Sequence, residues 1–125
     1  MDFLCIEHKK RFEDLKNRVK KFNVSDREEN VVLFIIAGNQ DLYNKAEKLY
    51  NFQEREFFID VLSDEKGNFK IEWKIPLSSS EKNLITLAFD LYSANNNIYV
   101  YNLFSTLDTN NFELALRAIT YRFDK

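Results

Sequence analysis

Two glycines and one proline in 125 residues leave this chain nearly without the residues that turn a backbone sharply. An all-β sandwich or barrel needs positive φ in many of its tight connections, and glycine supplies it at no steric cost. Helices can instead be opened by Asn, Asp and Ser, which are abundant here. Scarce glycine also argues against a mechanism built on a glycine-rich phosphate loop. The chain is therefore expected to be mostly helical.

The hydrophobic pattern divides it into elements. Residues 7–22 read as an amphipathic helix, with Phe12, Leu15, Val19 and Phe22 on one stripe. Ser25-Asp26-Arg27-Glu28 has the form of a capping box, in which Ser25 and Glu28 cover the first free backbone N–H groups. The run Val31-Val32-Leu33-Phe34-Ile35-Ile36-Ala37 follows, then Gly38. Taken alone, such a β-branched run is as good a strand as a helix. The cap before it, the glycine after it and its length favour a helix buried on most sides, with Gly38 in the left-handed conformation behind it. Asn39 or Asp41 caps a third helix carrying Leu42, Tyr43, Ala46, Leu49 and Tyr50.

The period then changes. Residues 56–62 are β-prone, and residues 69–75 alternate apolar and charged side chains. Together they predict a β-hairpin closed around Lys66-Gly67-Asn68 and ended by Pro76, which cannot donate to a ladder. Ser78 and Glu81 form a second capping box, opening a helix with Leu84, Ile85, Leu87, Ala88, Leu91 and Tyr92. Asn95-Asn96-Asn97 is a loop. Residues 98–104 read as a short helix, or as an extended stretch over Ile98-Tyr99-Val100-Tyr101. Asp108 or Thr109 caps a last helix with Phe112, Leu116, Ile119 and Phe123 on one face. The expected fold is α+β and mostly α-helical: about five helices, with one β-hairpin between the third and the fourth. Residues 1–125 make a single domain, since no linker, repeat or low-complexity tract divides them.

Charge excludes little but guides partner choice. The net charge is -2, which favours neither a polyanion nor an acidic ligand. Residues 1–22 hold the one local excess, with Lys9, Lys10, Arg11, Lys16, Arg18, Lys20 and Lys21 against Asp2, Glu7, Glu13 and Asp14. These charges surround the helix, and acids interrupt them, so a solvated surface is preferred to a nucleic-acid grip. Cys5 is the only cysteine, which excludes an intramolecular disulfide. The first residues have no basic start and no long apolar run, and the longest apolar run, 31–37, falls short of the roughly 20 residues of a membrane helix. A cytoplasmic protein with no membrane contact is expected.

Residue types that activate water or nucleophiles are few. His8 is the only histidine and lies three residues from Cys5, a spacing that shares a helix face. Of two readings, a reactive thiolate pair and a buried Cys5 beside a solvated His8, the second is preferred because a reactive thiol needs a defined electropositive cleft. Two such residues are too few for zinc. Asp60, Asp64, Glu65 and Glu72 cluster near the hairpin, but Lys66, Lys70 and Lys74 are interspersed, which reads as an alternating solvent face rather than a cation or glycosidase site. No catalytic residue, cofactor or metal is expected.

The surplus lies in the aromatics: 12 Phe, 6 Tyr and 1 Trp. Most belong in a core. Tyr99, Tyr101 and Tyr121, and the neighbours Phe57 and Phe58, which cannot both face inward on one strand, are the candidates for a recognition patch.

Three stretches carry a resemblance: Ala37-Gly38-Asn39-Gln40-Asp41-Leu42-Tyr43, the helix from Ser78-Ser79-Ser80 to Tyr92, and Leu107-Asp108 through Asn111-Phe112-Glu113-Leu114-Ala115-Leu116 to Arg122-Phe123. Together, and in this order, they resemble a family of small uncharacterised proteins of prophages and mobile elements of Gram-positive bacteria. The resemblance implies a biological setting and no activity, so no functional residue carries over. The resulting expectation is a non-enzymatic accessory protein that binds a host or phage protein, as an inhibitor or adaptor. The alternative is a homo-oligomeric or virion-associated structural protein.

Overall fold

The computed structural model describes residues 2–19, 26–67, 69–93 and 100–124. In chain order the elements are α1 (Ile6–Arg18), α2 (Arg27–Gly38), α3 (Gln40–Asn44), α4 (Ala46–Leu49), β1 (Tyr50–Asn51), β2 (Glu56–Phe57), β3 (Ile59–Ser63), β4 (Phe69–Trp73), α5 (Ser79–Ser93), α6 (Val100–Thr106) and α7 (Thr109–Phe123). The fold is α+β and mostly α, but with seven helices among the described residues rather than about five. Two small antiparallel sheets, β1–β2 and β3–β4, take the place of one hairpin and lie between α4 and α5. The third helix of the sequence reading is broken at Lys45, whose backbone leaves the helical region (φ -103°, ψ 7°).

Helix α2 is the centre. Glu29, Asn30 and the whole run from Val31 through Ala37 are buried, because α5, α1, α7 and α3 pack around it. A helix enclosed on all sides carries apolar residues at every phase rather than on a stripe, which explains the strand-like composition of this run. Each large apolar side chain buried here contributes about 1.5–3 kcal/mol before chain entropy is charged against it. The helix opens at Asp26, whose side chain accepts from Glu29 N–H at 3.1 Å. Ser25, the cap expected from the sequence, lies outside the described residues, as do Phe22, Asn95, Asn96, Asn97 and Ile98.

Other caps were legible from the sequence. Asn39 Oδ1 accepts from Leu42 N–H at 3.0 Å, and Asp108 Oδ1 from Asn111 N–H at 2.9 Å. In the Ser78 box, Glu81 N–H donates to Ser78 Oγ at 3.2 Å while Ser78 N–H donates back to Glu81 Oε1 at 2.8 Å.

The hairpin strand begins later than expected. Glu56 and Phe57 pair with Asn51 and Tyr50, and β3 starts at Ile59. Its register runs from Ile59↔Trp73 through Val61↔Ile71 to Ser63↔Phe69. Gly67 closes the loop at φ +81°, a conformation in which a side chain is strained.

Two further corrections concern α7 and Gly38. The face that α7 buries is Leu114, Ala115 and Ala118. Phe112, Leu116 and Phe123, three of the four residues on the apolar face read from the sequence, are exposed. That face sits about a third of a turn away from the one that meets α2. Gly38 is the last residue of α2 and is not at positive φ. A Cβ on it would fall 2.3 Å from Leu114 Cδ1, so its role is to let α7 approach.

Gly38→Ala is therefore expected to destabilise the chain by about 1–3 kcal/mol through overpacking. Urea unfolding of the single variants and the pair would show most of that cost disappearing in a Leu114→Ala background. An equal cost in both backgrounds would point to the backbone instead.

Candidate functional site

Polar groups buried beside α2 are the first place to look for chemistry. Glu29, which α2 carries into the core, accepts from Tyr50 O–H at 2.6 Å on Oε2. Arg55 grips the same carboxylate with both arms, Nε to Oε2 at 3.0 Å and Nη2 to Oε1 at 2.9 Å. Asp26 lies 3.5 Å from the same guanidinium. Arg55 is held at φ +58°, in a turn where Asn51 Oδ1 accepts from Gln53 and Glu54 N–H and Asn51 O from Arg55 N–H. Burial, followed by the bond to Glu29, pushes the Tyr50 hydroxyl far above its ordinary range, and burial raises Tyr92 beside it. With its carboxylate, phenol and guanidinium all engaged, this cluster fastens the β1–β2 turn to α2. Nothing in the local sequence announced it, since its members are 21 and 26 residues apart.

His8 is the second buried polar group, and it reverses the expectation for the Cys5/His8 pair. His8 is fully buried and Cys5 is exposed. Leu4 N–H donates to His8 Nδ1 at 3.0 Å, and Nε2 lies 2.8 Å from Phe34 O. An acceptor at Nδ1 and a carbonyl at Nε2 require the neutral Nε2–H tautomer. The ring lies against Phe34 and meets Phe3 edge-on. Burial holds its pKa below 6.5, opposed by the bond to Phe34 O and reinforced by Arg11 and Arg117. Both nitrogens are occupied, so His8 has no lone pair or proton free to serve a substrate.

The basic residues of α1 are partly drawn inward. Arg11 Nε donates to Ala37 O at 2.6 Å, and Lys16 Nζ to Asn30 Oδ1 at 2.7 Å. Arg18 pairs with Asp14 at 2.6 Å and Glu47 at 3.1 Å. Lys9 and Lys10 remain exposed, and Lys20 and Lys21 lie outside the described residues. Among the described residues, no three His, Cys, Asp or Glu gather where they could hold a metal ion.

The five aromatic candidates separate. Phe57 packs against Tyr50, Trp73, Phe89 and Tyr92, all within 5.8 Å between ring centres, and so forms the wall between β2 and α5. Phe58 is half-buried in a groove with Arg18, Glu47 and Phe52, its N–H donating to Leu49 O at 3.0 Å. Tyr121 is half-buried, with Arg27 stacked 5.2 Å above its ring. Tyr101 is 81% exposed, and Tyr99 lies outside the described residues.

Exposed apolar area concentrates on α6 and α7. Val100 and Tyr101 stand out from α6. Phe112, Leu116 and Phe123, at helical spacing, line the outward face of α7, with Phe123 62% exposed. Phe104 and Phe112 meet edge-on with ring centres 5.0 Å apart and join the two helices. Beside Leu116 runs a groove of about 420 Å³ lined also by Arg27, Arg117, Thr120 and Tyr121. Arg117 is held there by Phe3 O at 2.8 Å and by Asp2 and Glu113 carboxylates at 3.3 and 3.5 Å. An apolar stripe rimmed by charged residues has the make-up of a protein-contact surface. Its spacing was legible in the sequence; its outward orientation was not.

A family described only as of unknown function, DUF6075, matches residues 1–125, and the chain belongs to that family. No curated protein and no solved structure matches it. Among the described residues, no helix is long and apolar enough to cross a membrane.

The tautomer of His8 gives a pH prediction with a definite sign. A histidine whose folded-state pKa lies below 6.5 takes up its proton more readily in the unfolded chain. Its contribution is complete above the unfolded value and is lost as pH falls through the folded one. Stability should therefore begin to drop as pH falls below 6.5, above the range where Asp14 and Glu81, with lowered carboxyl pKa values, begin to count. Urea titrations at several pH values would show this component in the native chain and not in His8→Gln. The same slope in both would assign it to other groups.

Proposed function

We propose that this chain is a non-enzymatic protein-binding accessory factor, acting through the outward face of α7 and the adjoining surface of α6. The observation that carries the reading is the orientation of α7, with Leu114, Ala115 and Ala118 in the core and Phe112, Leu116 and Phe123 outside. Aromatic and aliphatic anchors in a charged frame are the usual energetic centre of a protein interface. The engagement of both His8 nitrogens within the core supports a binding role over a catalytic one. The sequence resemblance supports a setting in a prophage or mobile element of a Gram-positive host, with a cytoplasmic host or phage protein as partner and inhibition or adaptation as the outcome. Self-assembly, as a homo-oligomer or a virion component, is the competing reading, since the same stripe would be buried by a second copy.

Affinity capture from a bacterial host lysate, run in parallel with the native chain and with Leu116→Lys and Tyr101→Ala, tests the proposal. A protein recovered in near-equal amount with the native chain, and reduced at least about tenfold by Leu116→Lys without loss of melting temperature, is the expected result. Recovery unaffected by both substitutions would reject this surface. A dimer or larger species seen by light scattering and dissociated by Leu116→Lys would favour self-assembly.

A further inference from the structure

The β3–β4 hairpin offers a different kind of surface. β3 has β4 as its strand neighbour and no other among the described residues, and the two strands pack mainly on each other. Trp73 anchors the hairpin, its Nε1 donating to Thr86 Oγ1 of α5 at 3.1 Å. On the apolar face, Ile71 is 6% exposed while Val61, directly opposite, is 59% exposed. The cover over this face thus stops at β4 and leaves β3 exposed from Val61 onward, while Ile59 is half-buried. On the other face Leu62 is also exposed, next to Asp60.

Edge strands are ordinarily guarded by lysine, proline or a bulge. β3 has none of these, and residues 56–65 contain no Lys or Arg at all. Its charge is moreover badly placed for the hairpin itself. Asp60 stands directly across from Glu72, a like-charge pair that disfavours the ladder. Lys74 approaches Asp60 to 3.8 Å, and Glu72 has no ion-pair partner among the described residues.

We infer that the free edge of β3 is a strand-addition site for an extended, basic segment of a partner protein. A strand laid along β3 would complete the ladder and place one β-branched residue beside Val61 on the apolar face. Its two neighbours in sequence would lie beside Asp60 and Leu62. Lys or Arg at those positions would cover Leu62 with aliphatic stems while their charged ends relieve the Asp60/Glu72 pair. The segment recognised therefore alternates basic and β-branched residues. A second copy is a poorer occupant: pairing two β3 edges brings Asp60 of each copy against a strand that carries no base of its own, and β4 carries Glu72 next to its central Ile71. The inference adds a second surface to the protein-binding reading and depends on it only in that the partner is a protein.

The test uses the isotope-labelled chain and two capped synthetic peptides, Thr-Lys-Val-Lys-Val-Lys-Thr and its counterpart with Glu for every Lys. The expected result is a set of NMR shift changes centred on residues 59–63, with outward amides there exchanging about tenfold more slowly. The glutamate peptide should bind at least about tenfold more weakly. Asp60→Asn should shrink that preference. Val61→Lys should abolish binding while the near-ultraviolet signal of Trp73 shows the hairpin still folded. Equal binding of the two peptides, or shifts centred elsewhere, would overturn the inference. Self-association of the free chain that Val61→Lys removes would overturn it as well, by naming a second copy as the occupant. None of these outcomes touches the α7 surface, so failure here and failure of the lysate experiment are separable.

Discussion

A helix buried on every side from Glu29 through Ala37 must have its polar groups there satisfied by the rest of the molecule, and α2 sets that requirement for this fold. Its first turn enters the core with a carboxylate, Glu29, which Tyr50 and Arg55 meet from the β1–β2 turn. Its last turns present carbonyls at Phe34 and Ala37, which His8 and Arg11 meet from α1. An unpaired carboxylate at Glu29 would cost several kcal/mol, which explains why Arg55 tolerates φ +58° in a turn without glycine. The four side chains that close these bonds lie on α1 and the β1–β2 turn, so the placement of those elements follows from the polar needs of α2 as much as from its apolar ones.

Local signals were legible in the sequence and tertiary ones were not. Caps at Asn39, Ser78 and Asp108 depend on contacts within three residues, and each forms at a residue the sequence offered, Asn39 rather than Asp41 and Asp108 rather than Thr109. The 31–37 run is helical as read, but it is capped by Asp26 and ends with Gly38 inside the helix rather than in the left-handed conformation. What failed was the phase of α7. Hydrophobicity ranks Phe112, Leu116 and Phe123 above Ala115 and Ala118 as core residues, but α7 lies so close to α2 that Leu114 fills the space a side chain at Gly38 would need. At that separation size decides which face goes inward. His8 failed for a related reason: its partners, Leu4 N–H and Phe34 O, are backbone groups that no residue pattern reports.

The inversion of α7 connects the packing to the proposed role. Because α7 turns Leu114, Ala115 and Ala118 toward the core, Phe112, Leu116 and Phe123 are left on the outside, and α6 likewise leaves Val100 and Tyr101 exposed. An accessory protein that works by occupying a partner's surface needs a rigid element presenting apolar anchors, and a 15-residue helix seated on one buried from Glu29 through Ala37 provides it. The hairpin contrasts with this arrangement. It is tied to the body through Trp73 and Phe57, carries its free edge away from the core, and can accept a strand without disturbing α2.

Native-state hydrogen exchange measured residue by residue tests the central position of α2 most directly. The account predicts that the amides of residues 31–36 exchange only through global unfolding, with an opening free energy equal to that from urea denaturation, while those of β3 and β4 open at much lower cost. Amides of α2 that open more easily than those of α5 and α7 would contradict it, showing that the outer helices hold together without the helix they surround.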